Sequence, residues 1–215
     1  MGMSDEFREA FRSIQWATPF LDDPNWHVYP HRRPLQPGAT DVAHDNFGSM
    51  ALRRDDCIQH WLELSQKPAP GSHAVTRSIS LFKYGKGLTG YQTICHGGAV
   101  MSMMDESLIN IVFATQAKAA GLSPHAWVQQ ADETWGTPMK DGETLLSRMK
   151  GAFVVTRLNF NFMKPVPSPG VVGVECTLVE HTGNKMSITG VMKDDHGTPL
   201  VKVESLWTRL GREKL

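Results

Sequence analysis

The chain has 215 residues, of which 22 are basic and 22 acidic, so its formal charge is zero. This length can bury the core of one domain with additions, and the interspersed charges form no basic stripe for nucleic acid or a membrane surface. Three widely spaced cysteines indicate neither a disulfide framework nor a metal site, and with no signal peptide or spanning segment we expect a cytoplasmic protein.

The N-terminal part, residues 1–71, is predicted to form a helical and extended arm. Residues 4–16 carry apolar side chains at helical spacing behind Ser4, a typical N-cap residue. The prolines that follow favour extended backbone. Residues 48–66 are predicted to form a second helix, which ends before a Pro/Gly stretch.

Alternating side chains predict a strand over residues 73–84. The segment Gly85–Gly90 matches Gly-x-Gly-x-x-Gly, but strand-like residues rather than a helix follow it. A hairpin turn therefore explains these glycines better than a dinucleotide site does.

The next segment, residues 99–120, is long, apolar and free of proline, and it predicts a buried central helix. At its start, Gly97 and Gly98 leave their backbone N–H groups unobstructed, where the helix dipole favours negative charge. Such a place can stabilise an oxyanion. Asp105 lies inside the apolar segment, where burial of a carboxylate is costly. It therefore either has a functional role or lies, together with Asn110, on a narrow solvent-exposed stripe of the helix.

Gly97 and Asp105 are eight positions apart, which is about 12 Å along a helix. One reacting carbonyl needs both groups within about 3 Å. If both act in one site, Gly97 of one subunit must meet Asp105 of another, which predicts a two-fold dimer.

Residues 121–150 have the composition of an inserted segment, with one helical stretch expected near residues 124–133. This insertion either borders the substrate or is a surface loop. The following residues predict a series of antiparallel strands, in which Thr156 shares an apolar face with Phe160. The pattern favours an α+β domain whose curved antiparallel sheet wraps around the central helix.

Two motifs carry a family resemblance: His96-Gly97-Gly98 with Asp105 nine residues after the histidine, and the strand segment 156–167 that ends in an aromatic, a basic residue and Pro. Together with a Gly-Asn-Lys turn at 183–185, they resemble the hotdog-fold acyl-CoA thioesterases of the phenylacetate-degradation and thioesterase-superfamily type. The resemblance implies a hotdog fold of five to six strands over residues 72–212, with an insertion at about 120–150.

The resemblance also implies the chemistry, which is hydrolysis of an acyl thioester without a cofactor. The Gly97 N–H would bind the developing oxyanion, and Asp105 of the opposite subunit would act as general base or nucleophile. Thr156 matches a hydroxyl residue that hydrogen-bonds the carboxylate or the water. His96 is expected mainly to fix the turn, with direct catalysis as the alternative.

The substrate would be an acyl-CoA or an acyl or polyketide chain on a carrier protein, and the dimer could pair further into a tetramer. Many relatives carry Asn or Gln six residues before the histidine, where this chain has Gly90. The predicted substrate-binding residues are Gly98, Gln92, Lys164, Asn184 and Lys185. Two alternatives are a dehydratase or hydratase that uses His96 as its base, and a non-catalytic acyl-CoA-binding module.

Overall fold

The computed structural model describes residues 4–31, 47–52, 54–72, 74–124, 126–127 and 140–211. We number three α-helices, which are α1 (Asp5–Phe11), α2 (Gly97–Ala119) and α3 (Leu145–Arg148). The strands are β1 (Trp26–Pro30), β2 (Ile58–Gln66), β3 (Arg77–Tyr84), β4 (Thr89–Tyr91), β5 (Ile94–Cys95), β6 (Phe153–Phe162), β7 (Gly170–Thr182), β8 (Lys185–Lys193) and β9 (Pro199–Arg209).

One antiparallel sheet of seven strands, in the order β1-β2-β3-β7-β8-β9-β6, makes up most of the fold. The short strands β4 and β5 form a separate hairpin that leads into α2. Helix α2 lies against one face of the large sheet and contacts β2, β3, β7 and β8. The predicted α+β architecture, with a sheet around a long central helix, is therefore confirmed.

The inner face of the sheet and α2 enclose the main core. Met103, Met104 and Leu108 of α2 are fully buried there against Phe82 and Val174. The length of the helix comes from good helix formers, and its burial comes from apolar side chains around most of its circumference. No helix in the described part of the chain is long and apolar enough to cross a membrane.

The N-terminal segment covers the opposite, outer face of the sheet and makes a second core. Phe11 and Ile14 pack there on Leu62, Leu64 and Leu81. The segment is also fixed by the Trp16 side chain, whose indole N–H donates to the Asp194 carbonyl at 2.9 Å. Both faces of the sheet are thus buried in this region.

This double burial explains why the helix predicted for residues 48–66 is wrong. Residues Ile58–Gln66 form strand β2, preceded by a single π-helical turn at Phe47–Ala51. In β2, Trp61 faces the inner core while Leu62 and Leu64 belong to the outer core. A strand that is apolar on both faces loses its alternation, and its sequence is then easily confused with a helix.

The arm also changes the strand count. Five strands of the sheet, β3 and β6 to β9, lie within residues 72–212, as predicted. Strands β1 and β2 of the arm pair with each other and with β3, and they extend the sheet to seven strands. The boundary proposed at residue 71 stays a prediction about folding units. The helix at 5–11 is confirmed, although the Ser4 side chain makes no capping hydrogen bond.

The glycines of the 85–90 segment do not form a hairpin turn, because β3 pairs with β2 and β7 while β4 pairs with β5. Close packing explains them instead. A Cβ on Gly85 would lie 2.5 Å from the Asp56 carbonyl oxygen, and one on Gly87 would lie 2.7 Å from the Cys57 sulfur. The segment contains a 3-10 turn at Lys86–Leu88, so it is not a dinucleotide-binding loop. The helix expected near 124–133 lies mostly outside the described residues.

Candidate active site

His96 fixes the start of the central helix. It is the N-cap residue of α2, with extended backbone angles, and its Nδ1 accepts a hydrogen bond from the Gly98 N–H at 3.0 Å. In a neutral imidazole the accepting nitrogen carries no proton, so the Nε2 carries it. His96 therefore satisfies one of the free N–H groups at the helix start.

Gly97 is the first residue of α2, and its N–H has no acceptor within the described part of the chain. Its φ angle is not positive, and the nearest atom to an added Cβ would be Cζ of Phe162 at 3.9 Å. Neither backbone conformation nor packing therefore requires glycine here. Gly97 is exposed, and the space that a side chain would occupy beside it is open.

Gly90 differs from Gly97, because the packing around Gly90 does require a glycine. A Cβ at this position would lie 2.8 Å from His96 Cα and 3.0 Å from His96 Cβ. The expected Asn or Gln has no space at this position, because strand β4 lies directly against the His96 backbone. The local packing therefore requires glycine at position 90.

Replacing Gly90 with alanine is expected to displace His96 and with it the start of α2. We expect a loss of about 1–3 kcal/mol in unfolding free energy, the usual cost of overpacking, and a parallel loss of the activity proposed below. Thermal unfolding checks the first effect. Gly97→Ala is the matched control, because its Cβ has room and should leave the melting temperature unchanged or higher. Equal melting temperatures for Gly90→Ala and the unchanged protein would contradict the packing argument.

The hairpin before α2 is held from the side by the segment after β6. The Cys95 N–H donates to the Val166 carbonyl, and the Ser168 N–H donates to the Thr93 carbonyl, both at 2.8 Å. Gln92 and Thr93 form the hairpin turn, and Thr93 has a φ of 37°, an unusual value for a β-branched residue. The predicted binding residue Gln92 therefore lies exposed at the tip of this hairpin.

Asp105 lies two turns along α2 from Gly97 and is partly buried. Its Oδ1 is shielded from solvent and has no hydrogen-bond partner among the described residues. Burial raises the pKa of its carboxyl group above the ordinary aspartate value. A buried, unpaired carboxylate oxygen is costly, so this geometry favours a task for Asp105. The alternative of a solvated stripe that includes Asn110 is wrong, because Asn110 is only 6% exposed.

Thr156 does not share the helix-facing side of β6 with Phe160, contrary to the sequence prediction. A β-bulge between Val155 and Arg157 inserts Thr156 as an extra residue opposite β9. Its hydroxyl donates to the Leu206 carbonyl at 3.1 Å and lies 3.3 Å from the Thr208 hydroxyl. Since Thr208 alternates with the buried Trp207, Thr156 lies on the outer side of the sheet. Its role in the reaction stays a prediction.

An exposed apolar patch surrounds the start of α2. Its members are large side chains from the hairpin, the first helical turn and the end of β6: Tyr91, Ile94, Met101, Phe162 and Met163. Patches of this kind mark binding surfaces for an apolar ligand or another protein chain. Phe162 lies near Gly97, with its Cζ 3.9 Å from the position of an added Cβ, and this contact was not evident from the sequence.

The predicted substrate-binding residues lie at two ends of the sheet. Lys164 follows the end of β6, where the Phe162 ring lies near Gly97, and is exposed. Asn184 lies in the turn between β7 and β8, and Lys185 is the first residue of β8, level with Val154 at the start of β6. Eight strand positions separate Val154 from Phe162, which is about 26 Å. Within one chain the two groups cannot contact the same small part of a ligand.

The sequence model of the thioesterase superfamily matches residues 92–201, which is 110 of 215 residues. A helix held in a large antiparallel sheet is the hotdog fold, which the strand order already indicates. The chain belongs to the thioesterase superfamily. Strands β1, β2, β3 and β4 lie outside the matched range.

Several solved structures are similar to this chain at low sequence identity. The PaaI protein of the Escherichia coli phenylacetic acid degradation operon is 10% identical, with 63% of this chain and 73% of that chain covered and a TM-score of 0.41. A hypothetical thioesterase from Streptococcus pneumoniae with coenzyme A is 11% identical, with coverages of 67% and 89% and a TM-score of 0.43.

A third structure, from Streptococcus mutans and bound to acetyl CoA, is 11% identical, with coverages of 66% and 88% and a TM-score of 0.44. No curated protein matches the chain in sequence. The assignment of the fold therefore rests on the family match and on the strand order.

Proposed function

We propose that this protein hydrolyses an acyl thioester, on coenzyme A or on a carrier protein, to a free acid and a thiol. One observation carries the proposal: Asp105, whose shielded Oδ1 has no partner among the described residues, lies on the same helix as the Gly97 N–H, which has no acceptor there either. Membership of the thioesterase superfamily supports an enzyme of this class.

The two groups have complementary roles in the reaction. The Gly97 N–H and the helix dipole stabilise the thioester oxygen as it becomes negatively charged. Asp105 either takes a proton from the attacking water or attacks the carbonyl carbon itself, to form a mixed anhydride that water then hydrolyses. In both routes the C–S bond breaks and the thiolate takes a proton. Its raised pKa makes the Asp105 carboxylate a stronger base than an ordinary aspartate.

A second subunit completes this site in the proposal. Gly97 and Asp105 are about 12 Å apart along α2, too far to serve one carbonyl within a chain. A two-fold axis that pairs α2 with its copy brings Gly97 of one subunit to Asp105 of the other. The same antiparallel arrangement brings Lys185 of one subunit towards Lys164 of the other, so that these two basic residues meet the same end of a thioester.

Strand β6 is the edge that suits this pairing. It has ten residues and exposes apolar side chains that include Val155, at 37%, and Phe162, at 48%. Strand β1, at the other edge, has only five residues, ends in Pro30 and follows Pro24, and prolines protect an edge from pairing. We therefore propose a homodimer joined along β6.

The state of His96 favours hydrolysis over the dehydratase alternative. A dehydratase would use His96 as a general base, which needs an imidazole nitrogen with a free lone pair. Here Nδ1 accepts the Gly98 N–H, so Nε2 carries the proton and can only donate. Such an Nε2–H can donate to an oxyanion beside the Gly97 N–H. This role is available in the proposal because Gly90 has no side chain that could donate to the same oxyanion.

The test is thiol release from a panel of CoA thioesters with short, long, aromatic and β-keto acyl groups, together with sedimentation of the free protein. We expect turnover of at least one class and a dimer in solution. A monomer that is active at every concentration would contradict the shared site. Absence of turnover on every CoA ester and on a carrier-bound acyl chain would contradict the proposed function.

A further inference from the structure

An arginine beside the start of β6 has no counter-charge. Arg209, the last residue of β9, lies opposite Phe153, the first residue of β6. Its Nε is shielded from solvent and has no hydrogen-bond partner among the described residues. No carboxylate in that part of the chain lies within ion-pair distance of its guanidinium group. A shielded guanidinium without an anion is costly, so this arginine lacks a partner that the fold itself does not supply.

The Arg209 side chain lies on the inner face of the sheet, because it alternates with Thr208 and shares the face of the buried Trp207. Its guanidinium carbon is 4.9 Å from the centre of the Phe153 ring, which holds the group in place. The ring of His181 meets Phe153 edge-on, with centroids 6.0 Å apart. We call Arg209, Phe153 and His181 the Arg209 cluster. His181 is exposed, so the cluster is open to solvent on that side.

The electrostatics of the cluster are those of an uncompensated positive charge. Burial, followed by the charge of Arg209, lowers the pKa of His181 below the ordinary histidine value. A neighbouring carboxylate would have the opposite effect. An anion that entered the cluster would therefore meet the arginine without displacing a carboxylate of the described chain.

The Arg209 cluster and the candidate active site lie along the same pair of elements. Helix α2 runs antiparallel to β6, because Gly97 lies near the end of β6 while the Gln116 amide lies 3.5 Å from the Gly151 carbonyl, just before β6. Asp105 lies between these two ends. Eleven residues, or about 16 Å along α2, separate Asp105 from Gln116. An extended chain attached to a carbonyl at Asp105 can span this distance.

We propose that the Arg209 cluster binds an anionic group of the thioester substrate, a phosphate or a carboxylate, through the Arg209 guanidinium. Both groups accept the two parallel N–H bonds that a guanidinium offers, and either supplies the missing partner. In the proposed dimer, Lys164 of the other subunit comes to the same end of β6 and adds a second positive charge. The identity of the ligand rests on the function proposed above.

Two parts of a thioester can carry the anion. A phosphate ends the pantetheine arm of both coenzyme A and a carrier protein, and some acyl chains end in a carboxylate. Matched ligand pairs separate the two sources. Pantetheine lacks the phosphates of coenzyme A, and dodecanoate lacks the distal carboxylate of dodecanedioate.

Arg209→Gln is the test variant, and calorimetric titration with these four ligands measures binding without turnover. We expect it to bind coenzyme A at least about tenfold more weakly with pantetheine unchanged, or dodecanedioate at least about tenfold more weakly with dodecanoate unchanged. The first result identifies a phosphate and the second an acyl carboxylate. Arg157→Gln, which changes an exposed arginine on the outer face of β6, is the matched control and should alter neither pair.

Arg209→Lys keeps the inference testable if Arg209→Gln does not fold by circular dichroism. Lysine keeps the charge and the stem but loses the planar fork, so the same ligand should bind severalfold more weakly. Unchanged affinities in the Arg209 variants, equal weakening within each ligand pair, or no binding of any ligand to the unchanged protein would overturn the inference. Binding that depends on Arg209 without turnover would leave this site standing while the proposed function fails, and turnover with binding independent of Arg209 would do the reverse.

Discussion

Replacing Gly97 with proline is expected to lower kcat for thioester hydrolysis by about 10²–10³-fold, the usual loss when one oxyanion donor is removed. Gly97 is the first residue of α2, where proline is well tolerated because this N–H has no partner within the helix. The preceding His96 has φ −60° and ψ 132°, as a residue before proline requires. The variant thus deletes the proposed donor and preserves the fold.

Gly97→Ala tests whether the reaction needs only the N–H of residue 97 or also the absence of a side chain there. Alanine keeps the N–H, has room for its Cβ and is the better helix former by about 0.5–1 kcal/mol. We expect it to be at least as stable as the unchanged protein and more active than Gly97→Pro. Steady-state kinetics with circular dichroism measure both properties. A Gly97→Pro variant with normal kcat would exclude this N–H from the reaction.

Replacing Asp105 with asparagine is expected to lower kcat by about 10²–10⁴-fold, the range for loss of a positioned acid or base. Its stability should rise, because an unpaired buried carboxylate oxygen is replaced by a neutral amide. Thiol release and chemical unfolding, measured on the same preparation, test both effects.

The pH profile supplies an independent check on Asp105. Burial raises the pKa of this carboxyl group, so kcat/KM should fall on the acid side at a pH above the ordinary aspartate range. Glu106→Gln, a neighbouring carboxyl on the same helix, is the matched control and should keep both the activity and the acid limb. An Asp105→Asn variant that retains full activity would remove Asp105 from the mechanism.

The elements with one clear periodicity could be predicted from the sequence. Helix α2 was evident from its length and its lack of proline, and β7 and β8 were evident from alternation on either side of a Gly-Asn turn. Each of these elements buries a single face or is buried throughout, so its pattern follows from its own backbone geometry.

Strand β2 could not be predicted in this way, because its pattern depends on a distant segment. Leu62 and Leu64 are apolar because the N-terminal segment packs on them from outside. Glu63, between them, resembles a solvated helical charge in the sequence. Its burial depends on Trp61, Ser80 and Asn110, which only the tertiary structure brings together.

For the candidate site, the sequence suggested residues but not their surroundings. Gly97 and Asp105 were proposed as site residues because their chemistry is unusual for their positions on an apolar helix, and their roles stay predictions. The orientation of Thr156 was not, because a β-bulge is a property of strand pairing that a single strand does not encode. The packing of Gly90 against His96 is likewise a contact between strands, and only the missing side chain signals it.

The central claim is that each site combines Gly97 of one subunit with Asp105 of the other, and mixing two inactive variants tests it most directly. Gly97→Pro and Asp105→Asn are unfolded together, refolded and assayed for thiol release. In a mixed dimer one site receives both changes and the other receives neither, so random pairing should restore about a quarter of the normal activity. Recovery near that level would support the shared site, whereas a refolded mixture of dimers without activity would contradict it.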